Sequence, residues 1–277
     1  MKKGLYVVAT PIGNLSDISG RALDVLKEAK YIACEDTRVT KKLFTLLNIS
    51  LSKTFIPLHD HNEQQKSQDI VDLVLSGNVV ALVSDAGSPL ISDPGYKLVR
   101  LCRQVKAPVY TIPGCCALVC ALQLSGLPTN RFMFAGFIPN KEKARRDIFE
   151  EFLKIDATLI FYETAPRLLK TLTAASEIFK GREFSIAREL TKMYEECITG
   201  SANEVIAHYT ENPPKGEIVL MIAPPLGKSV EDIDLNGVLK SKMETIALKS
   251  AVAEVVAEYG LNKNEVYKEA VRIKNEE

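Results

Sequence analysis

Short apolar runs alternate with amphipathic stretches along most of the chain, and this alternation constrains the fold more than any other feature. Strands are predicted at 5–9, 31–34, 79–83, 109–112, 132–136, 158–162, 183–187 and 217–223. Helices are predicted at 21–30, 40–47, up to 75, from 94, 115–124, 142–153, 167–179 and 202–209. This order predicts an α/β fold with mostly parallel sheets that carry helices on both faces.

The chain divides at two changes of composition. The segment 125–130 is a polar turn rich in Gly and Pro, and it is the best linker candidate. Beyond about residue 230 the sequence is charged and helical, and Asn262 is a plausible N-cap for a last helix that buries Val266, Ala270 and Ile273. We therefore predict an α/β domain at 1–125, a second α/β domain at 126–226 and a small helical tail at 227–277.

Charge and cysteine usage limit the class of protein. The chain has 277 residues, with 35 Lys plus Arg against 35 Asp plus Glu, so any contact with nucleic acid must use a local basic patch. Six cysteines without CxxC spacing, together with an N-terminus that leads directly into a strand, predict reduced thiols and a cytoplasmic location. No apolar run is long enough to predict a membrane span.

The loop at 84–95 is the strongest candidate for a functional segment. It follows the apolar run 79–83 and contains two aspartates, Asp85 and Asp93, two glycines and two prolines, a composition typical of tight turns. Ligands of open α/β sheets bind at such strand ends. Other polar clusters also follow predicted strands, at 34–38, 113–116, 162–164 and 188–192. Because parallel strands end at one edge, these loops are expected to share one cleft.

Several common chemistries lack their sequence signatures. The first strand runs into a turn at 10–14 that is not GxGxxG, and the chain has neither GxxxxGK[ST] nor GxSxG. His59 and His61 form an HxH pair without a third ligand nearby, so no metal site is predicted. Cys115, Cys116 and Cys120 are interpreted as packing residues of a helix rather than as nucleophiles. Two basic clusters are candidate RNA contacts or ordinary solvated helix faces: Arg38, Lys41 and Lys42, and Lys141, Lys143, Arg145 and Arg146.

A series of motifs in fixed order carries a resemblance to a known family. These are Leu5–Asn14, Glu35–Arg38, His59–Glu63, Ser84–Gly95, Gly126–Phe132, Phe161–Glu163, Ala187–Lys192 and Lys215–Glu217. Over roughly residues 4 to 225 the chain resembles the tetrapyrrole methylase fold family, and within it the methyltransferases of small-subunit ribosomal RNA. It departs from the family pattern at Cys115 and Cys116, where a proline and a serine are usual.

The resemblance implies an activity and a set of partners. It implies S-adenosylmethionine as cofactor, transfer of its methyl group to the ribose 2′-hydroxyl of a cytidine in the decoding region of 16S rRNA, and a homodimer that acts on an assembled small subunit. The implied cofactor-binding residues are Pro11, Asp85, Ala86, Gly87, Ser88, Gly114, Cys115, Cys116, Tyr162 and Glu163. The candidates for a general base are Glu35, Asp36, Asp93, Glu189 and Lys192, which the sequence does not rank.

Two other functions remain open from the sequence. The same fold in the wider family methylates carbon atoms of tetrapyrroles, so an anionic macrocycle is an alternative substrate. The replacement of the usual residues by Cys115 and Cys116 leaves room for a non-catalytic factor that binds the cofactor and assists ribosome assembly. The motifs at 35–38, 59–63 and 187–192 favour the RNA-methylating branch.

Overall fold

The computed structural model describes residues 1–225, 234–259 and 261–276. The chain forms two compact units, residues 1–223 and residues 224–277. The first unit contains two five-stranded sheets with their flanking helices, and the second is helical where it is described. The predicted boundary at 226/227 lies outside the described residues, and the boundary at 125/126 stays a prediction.

The first sheet is parallel throughout, with strand order β3-β2-β4-β1-β5. Its strands are β1 (Gly4–Val8), β2 (Tyr31–Cys34), β3 (Thr54–Pro57), β4 (Val79–Val83) and β5 (Val109–Ile112). The prediction of a parallel sheet is confirmed here. Strand β3 is not predicted from the sequence, because this short edge strand is only half-buried and lacks a continuous apolar run.

Helices cover both faces of this sheet because side chains alternate along each strand. They are α1 (Gly20–Glu28), α2 (Thr37–Leu46), α3 (Glu63–Leu75), α4 (Tyr96–Gln104) and α5 (Ala117–Leu124). On one face Val8 packs with Leu26 and Phe44, and on the other Leu5 packs with Ile70. Each βα unit therefore sends its connecting loop to the same edge of the sheet.

The second sheet is mixed, with order β6-β7-β10-β8-β9. Its strands are β6 (Phe132–Phe137), β7 (Thr158–Thr164), β8 (Glu183–Arg188), β9 (Glu196–Ser201) and β10 (Glu217–Ile222). Strand β7 is parallel to β6, while β10 is antiparallel to β7 and β8, and β9 is antiparallel to β8. The expectation of a mostly parallel sheet is wrong here, because the loop 189–195 is too short for a crossover helix and makes a hairpin to the unpredicted edge strand β9.

Although the strands of the second sheet run in mixed directions, the ends of β7 and β8 and the start of β10 lie at one edge. Strands β6, β7 and β8 run the same way, and β10 runs the opposite way, so the ends of β7 and β8 lie beside the start of β10. Glu217 pairs with Thr164 in the ladder, and Ile218 pairs with both Glu163 and Arg188. The segments after Thr164 and Arg188 are therefore neighbours despite the antiparallel pairing.

One face of the second sheet is covered by helices of its own half of the unit. These are α6 (Glu142–Phe152), α7 (Leu168–Ile178) and α8 (Ala202–Glu211). Their shared core is aromatic: the Phe149 ring lies 5.7 Å from Phe161 and 5.5 Å from Phe179, both edge to face. Such pairs add to the stabilisation that burial of the rings already provides.

The other face of the second sheet is covered by α5, which belongs in sequence to the first sheet. Leu118 and Leu122 of this helix pack on Ile160, Val219 and Met221. Cys116 and Cys120 are partly buried in the same cluster, which confirms their interpretation as packing residues. Helix α5 follows β5 of the first sheet and packs on the second sheet, so it joins the two sheets.

The second unit is built from α9 (Leu235–Met243), α10 (Leu248–Tyr259) and α11 (Lys263–Glu276) among its described residues. Val266, Ala270 and Ile273 are buried in its core, as predicted from their spacing. The Asn262 side chain accepts a hydrogen bond of 2.9 Å from the Asn264 amide, the expected contact of an N-cap. Among the helices of the described residues, none is both long and apolar enough to cross a membrane.

Candidate active site

A cavity of about 430 Å³ lies between the carboxyl ends of the first sheet's strands and the edge of the second sheet where β7 and β8 end. Loops after β1, β2 and β4 form one wall, and the ends of β7 and β8 with the start of β10 form the other. The predicted convergence of these loops on one cleft is confirmed. The cavity is lined by the predicted site residues Glu35, Asp85, Ala86, Gly87, Ser88, Asp93, Cys116, Tyr162, Glu163, Glu189 and Lys192.

Hydrogen bonds between successive loops fix the first wall. Thr10 and Gly87 exchange two backbone hydrogen bonds, of 2.8 and 3.1 Å. The Ser88 hydroxyl donates to the Cys115 carbonyl at 2.9 Å, which ties the loop after β4 to the loop after β5. The predicted cofactor-binding residues Pro11, Gly114 and Cys115 are not among the residues that line the cavity. Gly114 is required there, because a Cβ would stand 2.9 Å from Cβ of Ala9.

A buried carboxylate of α3 fixes the far end of the loop at 84–95. One oxygen of Glu63 accepts hydrogen bonds from the amides of Gly95, Lys97 and Leu98, at 2.9, 2.8 and 3.3 Å. It thereby satisfies donors at the start of α4 that have no partner within that helix. The sequence does not predict this role for Glu63, although the motif at 59–63 stands out, because nothing local links Glu63 to a helix more than thirty residues away.

The loops on both walls hold strained backbone. Leu90 and Ser92 have φ of 72° and 67°, and Glu189 and Thr191 have φ of 49° and 63°. Left-handed conformations of residues other than glycine cost free energy and cluster at functional sites. The strain on both sides of one cavity supports its identification as the active site.

Carboxylates dominate the electrostatics of the cavity. Burial raises the pKa of Asp93 to about 6, against a hydrogen bond from Ser84 that lowers it, and the charges of Asp85 and Glu217 raise it further. Burial also raises the pKa of Glu35 and of Asp85, each with help from neighbouring carboxylates. The site therefore favours a ligand that brings positive charge.

Asp36 serves the structure rather than the cavity. It caps α2 by accepting a hydrogen bond of 2.8 Å from the Arg38 amide, and it forms an ion pair of 2.6 Å with the Arg38 guanidinium. These bonds lower the pKa of Asp36 to about 2, so its carboxylate is a weak base. Its own amide donates to the Asp85 carboxylate at 3.1 Å, which holds Asp85 at the cavity wall.

On the second wall the polar side chains are paired. Lys192 donates to the Glu189 carboxylate at 2.9 Å, and both line the cavity. Glu163 is buried, and its carboxylate accepts hydrogen bonds from the Thr171 hydroxyl at 2.6 Å and the Thr164 amide at 2.7 Å, with Arg167 at 3.1 Å. Glu163 therefore anchors the end of β7 and does not offer a free carboxylate.

Only some residues of the two predicted basic clusters are exposed. Lys41 and Lys42 in the middle of α2, and Lys141 and Lys143 at the start of α6, are exposed. The assignment of Arg145 to an exposed basic face is wrong, because its side chain is only 6% exposed and lies on the same helix face as Phe149 and Phe152. Arg38 and Arg146 are partly neutralised by ion pairs with Asp36 and Glu177.

The residues present fit the cofactor that the resemblance implies. S-adenosylmethionine carries a sulfonium and an ammonium group, and the carboxylates of Glu35, Asp85 and Asp93 supply the complementary charge. Its carboxylate needs donors, and α5 begins at the cavity with Cys116, an N-cap without a side-chain hydrogen bond, followed by Ala117. Amides at such a helix start bind anions. This contact uses the backbone, so it does not depend on the unusual side chains of Cys115 and Cys116.

The two walls touch at Gly13. A Cβ on this residue would stand 2.6 Å from Cγ of Lys192 and 2.8 Å from the backbone oxygen of Leu190. The next amide, of Asn14, donates to the Thr191 hydroxyl at 3.1 Å. Only glycine permits this approach between the loop after β1 and the loop after β8.

We expect Gly13→Ala to move the Lys192 loop and to lower the free energy of unfolding by about 1–3 kcal/mol, since the backbone oxygen cannot step aside alone. Gly20→Ala is the matched control, because a Cβ at Gly20 meets nothing within 4 Å and alanine favours its helix. Urea denaturation of both variants measures the difference. Equal stability of the two would contradict the close contact at Gly13.

Comparisons with known proteins agree with this architecture. The family model for Tetrapyrrole (Corrin/Porphyrin) Methylases matches residues 4–206. A curated relative from Erythrobacter litoralis, Ribosomal RNA small subunit methyltransferase I, is 50% identical over 99% of this chain and 96% of its own length. A relative of the same name from Vibrio cholerae is 48% identical over 95% of this chain and 93% of its own. The crystal structure of the methyltransferase CobJ shares the fold, with a TM-score of 0.61 and 16% identity over 82% of this chain and 97% of CobJ.

Proposed function

Since the chain belongs to the tetrapyrrole methylase family, we propose that it transfers a methyl group from S-adenosylmethionine to a ribose 2′-hydroxyl of small-subunit ribosomal RNA. The chain is a methyltransferase, and methyltransferases of this family use S-adenosylmethionine. The target that we propose is a cytidine of the decoding region of 16S rRNA. The finding that carries the choice of RNA over a tetrapyrrole is 50% identity, over nearly the full length, to a relative named for ribosomal RNA.

Among the candidate bases, Asp93 combines the properties that proton removal needs. It lines the cavity and has a pKa of about 6, so at neutral pH it is ionised yet more basic than an ordinary aspartate. Asp36 is a weaker base, and Glu189 is paired with Lys192. We propose that Asp93 accepts the proton of the ribose hydroxyl as that oxygen attacks.

The other residues of the cavity would bind S-adenosylmethionine and orient it toward the ribose hydroxyl. When bound, S-adenosylmethionine supplies an electrophilic methyl group. The carboxylate of Asp85, held by the Asp36 amide, faces a positively charged group, and the amides at the start of α5 hold a carboxylate. Alignment of an attacking oxygen with a methyl group is mainly a positioning task, which the interlocked loops at Thr10, Gly87 and Ser88 perform.

Exposed lysines beside the cavity are proposed to contact the RNA backbone. Helices α2 and α6 both begin after strands whose ends reach the cavity. The exposed Lys141 and Lys143 lie at the start of α6, and the exposed Lys41 and Lys42 lie in the middle of α2. Contacts between ammonium groups and phosphates release counterions, so they make affinity depend on salt. Arg145 is left out of this surface because it is buried.

We expect Lys41→Ala with Lys42→Ala to weaken binding of small subunits and to make the slope of log K against log salt shallower by about 1.4–1.8. The matched control is Lys27→Ala with Lys30→Ala, which removes the same charge at exposed positions before the start of β2, at the opposite edge of the sheet. Filter binding at four salt concentrations measures both slopes. An unchanged slope for the Lys41 and Lys42 variant, or an equal change for the control, would contradict the proposed RNA surface.

The proposed partners follow from the substrate. We propose that the protein acts in the cytoplasm as a homodimer, and that it recognises a small subunit in which the decoding region is already folded. An assembled substrate suits the balanced charge of the chain, since naked RNA is usually bound by strongly basic proteins.

A transfer assay with labelled S-adenosylmethionine tests the proposed substrate. Three acceptors are compared: small subunits from a strain that lacks this methylation, naked 16S rRNA, and a uroporphyrinogen. We expect label in the RNA of the small subunits and none in the macrocycle. Transfer to the macrocycle alone would favour the tetrapyrrole enzyme, and subunit binding without any transfer would favour an assembly factor.

A further inference from the structure

An aromatic ring at the mouth of the cavity has no role in the mechanism above. Phe137 ends β6, lines the cavity and keeps 56% of its surface exposed. The pairing of β6 with β7 shifts register between Phe134 and Phe137, and Gly136 within the shift has φ of 72°. Such bulges turn a side chain away from the position that a regular strand would give it.

The Phe137 ring packs against Tyr162 and shares the cavity with a second apolar side chain. The Tyr162 ring lies 5.4 Å from Phe137 at 65°, and Tyr162 is itself packed edge to face on Phe134 at 4.7 Å. Ile91 lines the same cavity from the loop at 84–95 and is 38% exposed. The bulge also approaches this loop, since a Cβ on Gly136 would stand 4.0 Å from the Ser92 hydroxyl oxygen.

We propose that Phe137, with Ile91, forms a subsite that stacks the base of the nucleotide to be methylated. This rests on the proposed function. A ribose hydroxyl reaches a carboxylate inside the cavity only when its nucleotide leaves the RNA stack, and the unstacked base then needs a new surface. An aromatic ring that is held from behind and open in front provides that surface without further ordering.

The test compares steady-state kinetics of Phe137→Leu, Phe137→Trp and the wild type on small subunits that lack the methylation. Stacking on an aromatic ring accounts for roughly a 5- to 150-fold difference in affinity, so we expect Phe137→Leu to raise KM for subunits at least 5-fold. Phe137→Trp keeps a flat aromatic surface and restores KM. Phe132→Leu is the matched control, since Phe132 is 47% exposed at the other end of the same strand. Calorimetry with S-adenosylmethionine and sedimentation of each variant accompany the kinetics.

Three results would overturn the subsite while leaving the proposed function intact: wild-type kinetics for Phe137→Leu, a loss of S-adenosylmethionine affinity in that variant, or a change in its oligomeric mass. The second would assign Phe137 to the cofactor, and the third would assign it to contact with another copy of the chain. If the wild type transfers no methyl group to RNA, the proposed function fails first. A raised KM with unchanged cofactor affinity and mass supports the subsite.

Discussion

Asp93→Asn should reduce kcat for methyl transfer by about 10²- to 10⁴-fold, the range that a positioned general base contributes. The amide keeps the size of the side chain but cannot accept the proton. S-adenosylmethionine should still bind, since Glu35 and Asp85 remain at the cavity. The two readouts, kcat in the transfer assay and cofactor affinity by calorimetry, separate loss of the base from collapse of the site.

The pH dependence gives this prediction a second check. Because the pKa of Asp93 is about 6, wild-type kcat should rise about tenfold per pH unit below 6 and level off above it. Folding raises the pKa of Asp93 above the ordinary value of 3.8, so the ionised carboxylate opposes folding. The free energy of unfolding should therefore decrease as the pH rises from about 4 to 6.

Because the ionised Asp93 carboxylate opposes folding, we expect that its replacement by asparagine does not lower the stability of the protein. At neutral pH Asp93→Asn should unfold at the same temperature as the wild type or a few degrees higher, with a gain of up to about 1 kcal/mol once solvent screening of this half-buried group is allowed for. Full activity of the variant, or a large loss of stability, would contradict the assignment of Asp93.

Glu63→Ala should lower the free energy of unfolding by about 2–4 kcal/mol. Its carboxylate is 4% exposed and accepts from three amides at the start of α4, so truncation leaves buried donors without a partner. Because Asp93 lies two residues before Gly95, the loop that carries it should also loosen, and kcat should fall. Chemical denaturation and the transfer assay measure the two effects.

Glu63→Gln is the control for that prediction. The amide retains a carbonyl oxygen in the same place, so it should recover most of the stability, with a loss of about 1 kcal/mol for the weaker neutral hydrogen bonds. If glutamine were as damaging as alanine, the charge of Glu63 rather than its acceptor geometry would be the important property. If both were harmless, the capping role would be wrong.

Elements of the fold that bury a continuous apolar run could be predicted from the sequence. The predicted bounds of β2, β4 and β5 agree with the structure. Strands β2 and β4 lie inside the sheet and leave a clear apolar signal, and the edge strand β5 lies between Pro108 and Pro113. The two missed strands, β3 and β9, both lie at sheet edges and are only partly buried. Strand direction in the second sheet was also missed, since it depends on the hairpin that β9 completes.

In the candidate site too, the parts with a local sequence pattern could be predicted, and the parts that depend on contacts between distant segments could not. The segment from Asp85 to Asp93 was predictable, because a loop rich in Gly, Pro and Asp directly follows a buried strand. The cap that Glu63 provides, the burial of Arg145 and the position of Phe137 at the cavity depend on contacts between distant segments. No spacing within one segment encodes such contacts, and only the partners seen in the structure set Asp36, Glu189 and Lys192 apart from Asp93.

The measurement that tests the central claim most directly is the identity of the methylated nucleoside. Small subunits lacking the methylation are incubated with the protein and labelled S-adenosylmethionine, and their RNA is digested to nucleosides and analysed by mass spectrometry. We predict the label in 2′-O-methylcytidine, in amounts that approach one methyl group per subunit. Label on a base, or no label in RNA while a tetrapyrrole is methylated, would contradict it.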